Sequence, residues 1–221
     1  MNITISREIL DLWPCFDIAA LEFDAVYHSS DYSDEKLAET EAYISQHFSS
    51  LQEVLDEPRI AAARKAYKAF GKDPSRYRLA AESLHRRVVK GNTLYRISNL
   101  VDLGNVISVM ERRSVAVLDA DKIEGDILVR LGKTSDHYEG IGRGELDISN
   151  VPLYEDNVGP FGSTTSDTPR TMITENTHHV LLFIISFDEG GLDDGAIYTQ
   201  KLYERYADAT NFKRLSVRKE E

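Results

Sequence analysis

The sequence predicts an α+β fold in which a mixed β-sheet is flanked by helices. Amphipathic helical segments gather between residues 33 and 110, while segments with strand character precede and follow them. Separate runs of helices and strands, without strict alternation, are typical of α+β proteins. Hydrophobic residues make up 42% of the 221 residues, enough for a sizeable core, and no linker or repeat divides the chain. We therefore expect one domain spanning residues 1–221.

The N-terminal part begins with strands and then turns helical. Residues 3–9 and 17–27 are rich in β-formers with partial alternation, which predicts two strands. Ser33 is followed by two acidic residues, a typical helix start, and the helix is predicted to run to Phe48.

Two basic helices are predicted next. Pro58 suits a first helical turn, and the apolar residues after it recur at helical spacing until Gly71 ends the pattern. The segment "GKDPSRYR" has turn composition. A second helix is predicted over residues 79–90, with Gly91 as its stop and with Arg86, Arg87 and Lys90 on the outer side.

A third helix is predicted over residues 98–110, with Ser98 as its N-cap. Residues 115–118 and 127–131 read as short strands, and the "DADKIEGD" segment between them has the composition of a hairpin turn.

The last part alternates between loops, a buried strand and a helix. Residues 132–180 are rich in Gly, Pro, Ser, Thr and Asp, which predicts loops with short strands near 145–154 and makes this stretch the expected place for a site. Residues 180–187 are apolar on both faces, which predicts a central strand. A final helix is predicted over 195–207, and the tail "SVRKEE" is expected to be frayed.

The net charge of −11 is distributed unevenly along the chain. Residues 1–58 hold 2 basic and 13 acidic residues, whereas residues 59–96 hold 11 basic and 2 acidic residues. A concentrated basic segment is able to bind a local anion such as a phosphate, although the protein as a whole repels polyanions. The alternative is that the fold mixes these charges in space, as solvated helix faces.

Several functional classes are disfavoured by composition. No apolar run approaches the roughly 18 residues that span a membrane, and the N-terminus lacks a signal-peptide pattern. The single cysteine, Cys15, excludes an internal disulfide, so we expect a cytoplasmic protein. The adjacent His178 and His179 would point to opposite faces of a strand, and we expect no metal site and no cofactor. "GIGRG" at 140–144 lacks the strand-then-helix context of a dinucleotide loop.

Four ordered motifs nevertheless carry a family resemblance. They are "FGKDPSRYR", "ESLHRRVVKG", N-x-V-D-x-x-N-x-I-S from Asn99 to Ser108, and "LDADKIEGDILVR". Together, over roughly residues 60–190, they resemble free-standing relatives of the editing, or tRNA-binding, domain of the phenylalanyl-tRNA synthetase β chain, known as B3/B4. The resemblance implies that domain's fold and a pocket. In the synthetase, the domain binds the acceptor end of mischarged tRNA and hydrolyses wrongly attached tyrosine.

The resemblance also suggests where a site would lie. Asn105, a polar residue inside an apolar helix, matches an asparagine of the editing pocket; the alternative is a buried amide that bonds a neighbouring backbone group. Asp167 is a loose match for a glutamate on the far wall of the pocket. We take Asn105 and Asp167 as candidate catalytic residues.

This chain departs from the synthetase pattern at two positions. Gly104 stands where the pocket has a threonine, and Ala116 stands where it has a histidine. Neither side chain is able to activate water, so the resemblance supports a pocket better than it supports ester hydrolysis. We count Gly104, Ala116 and Glu145, in the "GEL" motif, as candidate substrate contacts.

Arg86 and Arg87 complete the candidate substrate contacts. Arginine suits bidentate binding of a phosphate or a carboxylate, and the alternative for each is an ion pair within the protein. Two hypotheses follow: a module that binds an aminoacyl-tRNA end and hydrolyses mischarged esters, or a protein that binds or hydrolyses an amino-acid-like small molecule without tRNA. No ATP site or aminoacylation signature is present, so no ligase activity is expected.

Overall fold

The computed structural model describes residues 1–220 and confirms the α+β fold class. The helices are α1 (Arg7–Leu12), α2 (Asp34–His47), α3 (Leu51–Asp56), α4 (Pro58–Ala69), α5 (Ala80–Val89), α6 (Asn99–Glu111) and α7 (Leu192–Tyr206). The strands are β1 (Ile3–Ile5), β2 (Asp17–Asp24), β3 (Ser114–Asp119), β4 (Ile127–Leu131), β5 (His137–Gly140), β6 (Gly144–Asp147), β7 (Pro152–Glu155), β8 (Pro160–Ser163), β9 (His179–Ser186), β10 (Thr210–Leu215) and β11 (Val217–Lys219).

A four-stranded antiparallel sheet of order β10-β2-β9-β3 forms the middle layer. Strand β9 is central, as its two apolar faces predict. Alternate residues of this strand enter different cores: Leu182 and Ile184 face helices α2, α5, α6 and α7, while Phe183 and Ile185 face the opposite side. The two hydrophobic cores therefore lie on the two faces of one sheet.

A five-stranded mixed sheet of order β11-β1-β4-β7-β8 covers the second face, together with helix α4. Strand β1 pairs in parallel with both β11 and β4, and the other pairs are antiparallel. Strands β5 and β6 form a separate two-stranded hairpin. No helix within residues 1–220 has the length and apolarity needed to cross a membrane.

Two predictions for the chain ends are wrong. The first strand ends at Ile5 rather than residue 9, because α1 begins at Arg7. Up to residue 220 the C-terminal tail is not frayed: β11 pairs with β1 from Ile3↔Val217 onwards, and the amide of Glu220 donates to the carbonyl of Ile5 at 3.0 Å. Glu221, the last residue of the predicted tail, lies outside the described residues. This pairing joins opposite ends of the chain, so no local pattern reveals it.

The predicted hairpin between β3 and β4 is also wrong, since the two strands belong to different sheets. The turn composition is real: Ala120–Lys122 forms a 3-10 turn, and Gly125 has a φ of +85°. The buried carboxylate of Asp119 accepts a hydrogen bond from the Thr177 hydroxyl at 2.8 Å. The segment thus carries the chain from one layer to the next instead of reversing it.

Helices α4 and α5 agree with their local signals. Glu57 caps α4 by accepting hydrogen bonds from the amides of Arg59 and Ile60, and Pro58 occupies the first turn. Gly71 and Gly91 have φ values of +85° and +81°, as expected of glycines that end helices.

The sequence interpretation missed α3. Ser50 caps this helix by accepting from the amide of Glu53, and the Glu53 carboxylate accepts from the amide of Ser49 at 2.7 Å. This arrangement is close to a capping box, so the Ser-x-x-Glu spacing was a usable signal.

Candidate functional site

A cavity of about 490 Å³ opens beside helix α6. Its walls come from α6, from β3, from the 163–167 loop and from the tip of the β5–β6 hairpin. We call it the α6 cavity. Its lining residues are Ala80, Tyr95, Ile97, Val101, Gly104, Asn105, Ser114, Val115, Val117, Ile141, Gly142, Arg143, Ser163, Thr164, Thr165, Ser166, Asp167, Met172, Ile173 and Ile185. The volume lies within the range of small-molecule sites.

The N-x-V-D-x-x-N motif places three polar residues on α6, and the fold uses two of them. Asn99 is fully buried, accepts from the amide of His28 at 2.8 Å and donates to the carbonyl of Val26 at 2.9 Å. Asp102 is also fully buried and accepts from the amide of Ile97 at 2.9 Å; burial raises the pKa of its carboxyl. Both residues fasten the start of α6.

Asn105, the third polar residue, is placed differently. It is half-buried, lines the α6 cavity and makes no side-chain hydrogen bond within residues 1–220. A carboxamide has two donors and an acceptor, so this group is free to bond a ligand. The sealed amide considered as the alternative is not what the structure shows.

Gly104 lines the same cavity and sets the distance between α6 and β3. A Cβ at this position would lie 2.3 Å from Cγ2 of Val117. The absence of a side chain therefore allows the helix to lie directly on the strand, and no β-branched residue fits without a shift.

Ala116 and Glu145 do not line the cavity. Ala116 is 1% exposed and faces the core between the two larger sheets, while its neighbours Val115 and Val117 face the cavity. Successive strand residues point to opposite faces, so a side chain at 116 would enter that core. Glu145 is exposed on β6. Direct ligand contact at 116 or 145 has no structural support.

Asp167 lines the cavity, and one oxygen of its carboxyl is buried in the cavity wall. The residue is half-buried, but its Oδ1 is buried without a hydrogen-bond partner within residues 1–220. Burial raises the pKa of this carboxyl to about 7. It packs against Gly162, where a Cβ would come within 2.5 Å of Oδ1. A carboxyl that titrates near neutral pH is suited to proton transfer.

Two buried tyrosines that the sequence did not single out hold the 163–167 loop. The Tyr67 hydroxyl lies 2.9 Å from the Thr165 hydroxyl and 2.5 Å from that of Thr164. The Tyr138 hydroxyl donates to Ser163 Oγ at 2.7 Å. Burial raises the pKa of Tyr67 to about 12, so it stays a neutral hydroxyl at physiological pH. The tyrosines come from α4 and β5, and only the folded chain brings them to this loop.

Replacing Asp167 with asparagine is expected to remove a pH dependence of stability. Between about pH 4 and pH 7 the unfolded carboxyl ionises while the native one keeps its proton. The native state then binds more protons, so the free energy of unfolding falls as pH rises through this window, by up to about 1.4 kcal/mol for each pKa unit separating the states. Urea unfolding at pH 4.5 and pH 8 measures the change.

The control for this experiment is Asp193→Asn, which alters a carboxylate whose side chain is 94% exposed. The change in the free energy of unfolding between the two pH values should be the same in the wild type and in this control. Asp167→Asn should be more stable at pH 8, relative to pH 4.5, than either of them, because the loss that comes from this carboxyl is absent. The same change in all three proteins would show that the buried carboxyl titrates normally.

The structure pairs five of the eleven basic residues of the segment 59–96 with carboxylates of the protein: Arg59, Arg64, Lys72, Arg86 and Arg96. Glu82, which is fully buried, accepts from Arg64 at 2.8 Å and from Arg86 at 3.4 Å. Arg96 bonds Asp34 at 2.7 Å. Arg87 stacks on the ring of Tyr95, with its guanidinium carbon 4.0 Å from the ring centroid. Arg86 is thus not free to bind substrate. Arg87 does not line the α6 cavity itself, but it contacts Tyr95, which does.

A larger cavity of about 910 Å³ lies at the N-terminus of α7. Its lining includes Cys15 and the acidic residues Asp188, Glu189, Asp193 and Asp194. None of the predicted site residues lines it. Within residues 1–220, no group of three or more His, Cys, Asp or Glu side chains is arranged to hold a metal ion.

Comparisons with known proteins relate the chain to one protein family and to solved structures. A family model described as the B3/4 domain matches residues 62–214. A solved N-terminal fragment of the phenylalanyl-tRNA synthetase β-subunit from Pyrococcus horikoshii is 10% identical, with a TM-score of 0.48, over 99% of this chain and 52% of that one. This chain thus spans about half of that fragment. No curated protein matches the sequence.

Proposed function

Since the chain belongs to the B3/4 domain family, we propose that its α6 cavity binds the aminoacylated end of a tRNA. The supporting observation is that Asn105 and Asp167, which are far apart in sequence, line one cavity together with the hydroxyl-rich loop 163–166. Both residues match positions of the editing pocket that the chain resembles, and they come from different elements of the fold.

The lining suits an aminoacyl group. Val101, Val115, Val117 and Ile173 give an apolar wall for an amino-acid side chain. Asn105 and the hydroxyls of the loop give donors and acceptors for the polar ester and amine. A mostly apolar pocket with a few directed polar groups is typical of small-ligand recognition.

Hydrolysis at this site would need few groups. A water attacks the ester carbonyl carbon, the carbon–oxygen bond to the ribose breaks, and a proton passes from the water to the leaving ribose oxygen. In this proposal the Asn105 amide donates to the carbonyl oxygen as negative charge develops there. Asp167 takes the proton from the water and returns it to the ribose, which requires the ionised form and therefore a pH near or above 7.

Replacing Asn105 with alanine is expected to lower the deacylation rate of mischarged tRNA by about 10²- to 10³-fold, the range for a lost oxyanion donor. Stability should change little, because the Asn105 side chain has no partner in the described chain. Single-turnover deacylation of a panel of mischarged tRNAs measures the effect.

The matched control is Gln200→Ala, which removes an exposed carboxamide from α7. It should keep the wild-type rate. If wild type, both variants and buffer release the amino acid equally fast, the hydrolase proposal is refuted. If gel shifts also show no complex at low salt, where electrostatic binding is strongest, tRNA binding is refuted too.

A second candidate function is binding of a free amino-acid-like compound. The observation that favours it is charge: among the lining residues that the structure describes, Arg143 is the only cation, and Arg64, Arg86 and Arg96 are paired with the protein's own carboxylates. Thermal-shift screening with free amino acids separates the two functions, because a tight ligand raises Tm. A stabilising amino acid without any tRNA affinity would select this candidate.

We also propose that the described residues act as one domain. The four-stranded sheet contributes side chains to both hydrophobic cores, so neither core is complete without it. Urea unfolding followed by circular dichroism and by tryptophan fluorescence should then give coincident transitions.

A further inference from the structure

The mouth of the α6 cavity is unusually apolar for an exposed surface. Tyr95, Ile97, Ile141 and Met172 are 51%, 58%, 43% and 38% exposed, and all four line this cavity. Scattered exposed apolar residues are ordinary, but a cluster around a cavity marks a binding surface. An aminoacyl group inside the cavity does not account for a mouth of this kind.

Tyr95 is held in position at this mouth. It lies in the segment between α5 and α6, and the residues on both sides of it are held by hydrogen bonds to Glu41. The amide of Leu94 donates to Glu41 Oε1 at 2.7 Å, and Arg96 donates to the same carboxylate at 2.8 Å. Leu94 itself is 1% exposed. The ring therefore stands on an anchored backbone and not on a free loop.

The two faces of the Tyr95 ring have different environments. The Arg87 guanidinium covers one face at 4.0 Å, and its Nε donates to the carbonyl of Thr93. Tyr95 is nevertheless 51% exposed and lines the cavity, so Arg87 leaves part of the ring accessible. An aromatic ring supported by arginine from behind and open in front is the arrangement on which nucleobases stack.

A cation also lines this cavity. Arg143 is exposed at the tip of the β5–β6 hairpin, between Gly142 and Gly144, and has no ion pair within the described residues. Gly142 and Gly144 have φ values of +67° and +71°, which side chains rarely adopt, so this tight turn requires glycine. The "GIGRG" segment thus presents a free arginine at the cavity.

We propose that Tyr95, supported by Arg87, is a stacking platform for a nucleobase at the mouth of the α6 cavity, and that Arg143 binds the adjoining phosphate. The inference rests on the proposed function, because the base is that of the terminal nucleoside carrying the aminoacyl group. It adds the nucleotide subsite that the aminoacyl pocket alone does not provide.

The test titrates two probes into the full chain by calorimetry. Adenosine 5′-monophosphate carries base, ribose and phosphate, while ribose 5-phosphate lacks only the base. Wild type should bind the nucleotide more tightly. Tyr95→Leu, which keeps an apolar side chain but removes the ring, should weaken nucleotide binding by about 5- to 150-fold, the range for a lost base stack. It should leave ribose 5-phosphate unaffected.

Further variants separate the contribution of the aromatic ring from that of the charge and from a general effect on folding. Tyr95→Phe keeps the ring and should bind the nucleotide like wild type. Arg143→Met should weaken both probes. The matched control is Tyr32→Leu, which removes another exposed tyrosine, one that stacks on His28 with ring centroids 3.9 Å apart and does not line the cavity. This control should change neither affinity.

The inference is overturned if wild type binds the two probes equally, if it binds neither, or if Tyr95→Leu binds the nucleotide like wild type. The last result would fit an apolar surface for a partner protein. Tyr95-dependent nucleotide binding by a protein that neither binds nor deacylates aminoacyl-tRNA would instead support the subsite and refute the proposed function, so the two failures are distinguishable.

Discussion

Replacing Arg64 with methionine is expected to lower the free energy of unfolding by about 3 kcal/mol, the low end of the range for breaking a buried ion pair. Glu82 is fully buried, and Arg64 is its nearer partner at 2.8 Å. Without Arg64, among the described residues, the carboxylate keeps only the longer contact from Arg86 at 3.4 Å. Urea unfolding at pH 7 measures the loss.

Arg86→Met is the matched comparison, because it removes the longer contact to the same carboxylate and should cost less than Arg64→Met. The double variant Arg64→Met with Glu82→Gln should be more stable than the sum of the single changes predicts, since it leaves no buried charge. If Arg64→Met changes stability by less than about 0.5 kcal/mol, as surface substitutions do, the pair is not structural. Arg64 would then be available to bind an anion.

The second large effect is expected at Gly104. Gly104→Ala should lower the free energy of unfolding by about 1 to 3 kcal/mol, as overpacking does, even though alanine favours a helix by about 1 kcal/mol. The reason is the distance of 2.3 Å that its Cβ would have from Cγ2 of Val117. Because Val117 is β-branched and lies on a strand, its side chain has little freedom to turn away.

The double variant Gly104→Ala with Val117→Ala tests this explanation. Removing the valine methyl groups should relieve the clash, so the two changes should couple favourably by about 0.5 to 3 kcal/mol. Strictly additive losses would contradict it. The double variant should also regain any ligand binding that Gly104→Ala loses, because Gly104 and Val117 both line the α6 cavity.

Local signals predicted much of the helical part. The Ser98 cap, Pro58 and the glycines 71 and 91 act within one or two turns of chain, so the sequence reveals them directly. The same kind of signal at Ser50 was available for α3 and was missed.

Long-range pairing was not predictable in this way. The register of β11 on β1 depends on residues near opposite ends of the chain, and the assignment of β3 and β4 to different sheets depends on which strand each one meets. Turn composition shows that the chain bends at "DADKIEGD", but it does not show whether the strand after the bend pairs with the strand before it.

The same difference between local and long-range signals applies to the residues of the candidate site. Asn105 stood out as a polar residue in an apolar helix, and the resemblance brought in Asp167; the structure places both on the α6 cavity. The resemblance also suggested Ala116, whose strand parity directs it into the core instead. Tyr95 gave no signal, and the "GIGRG" segment around Arg143 stood out only as a sequence that fails as a dinucleotide loop. Three separate loops must converge before the roles of these two residues become visible.

A crystal structure with an aminoacyl-adenosine analogue, in which a 3′-amide replaces the hydrolysable ester, tests the central claim most directly. The account predicts the analogue in the α6 cavity, with its carbonyl oxygen within hydrogen-bonding distance of the Asn105 amide and its side chain against Val115 and Val117. Density for the analogue in the larger acidic cavity beside α7, with the α6 cavity empty, would contradict it.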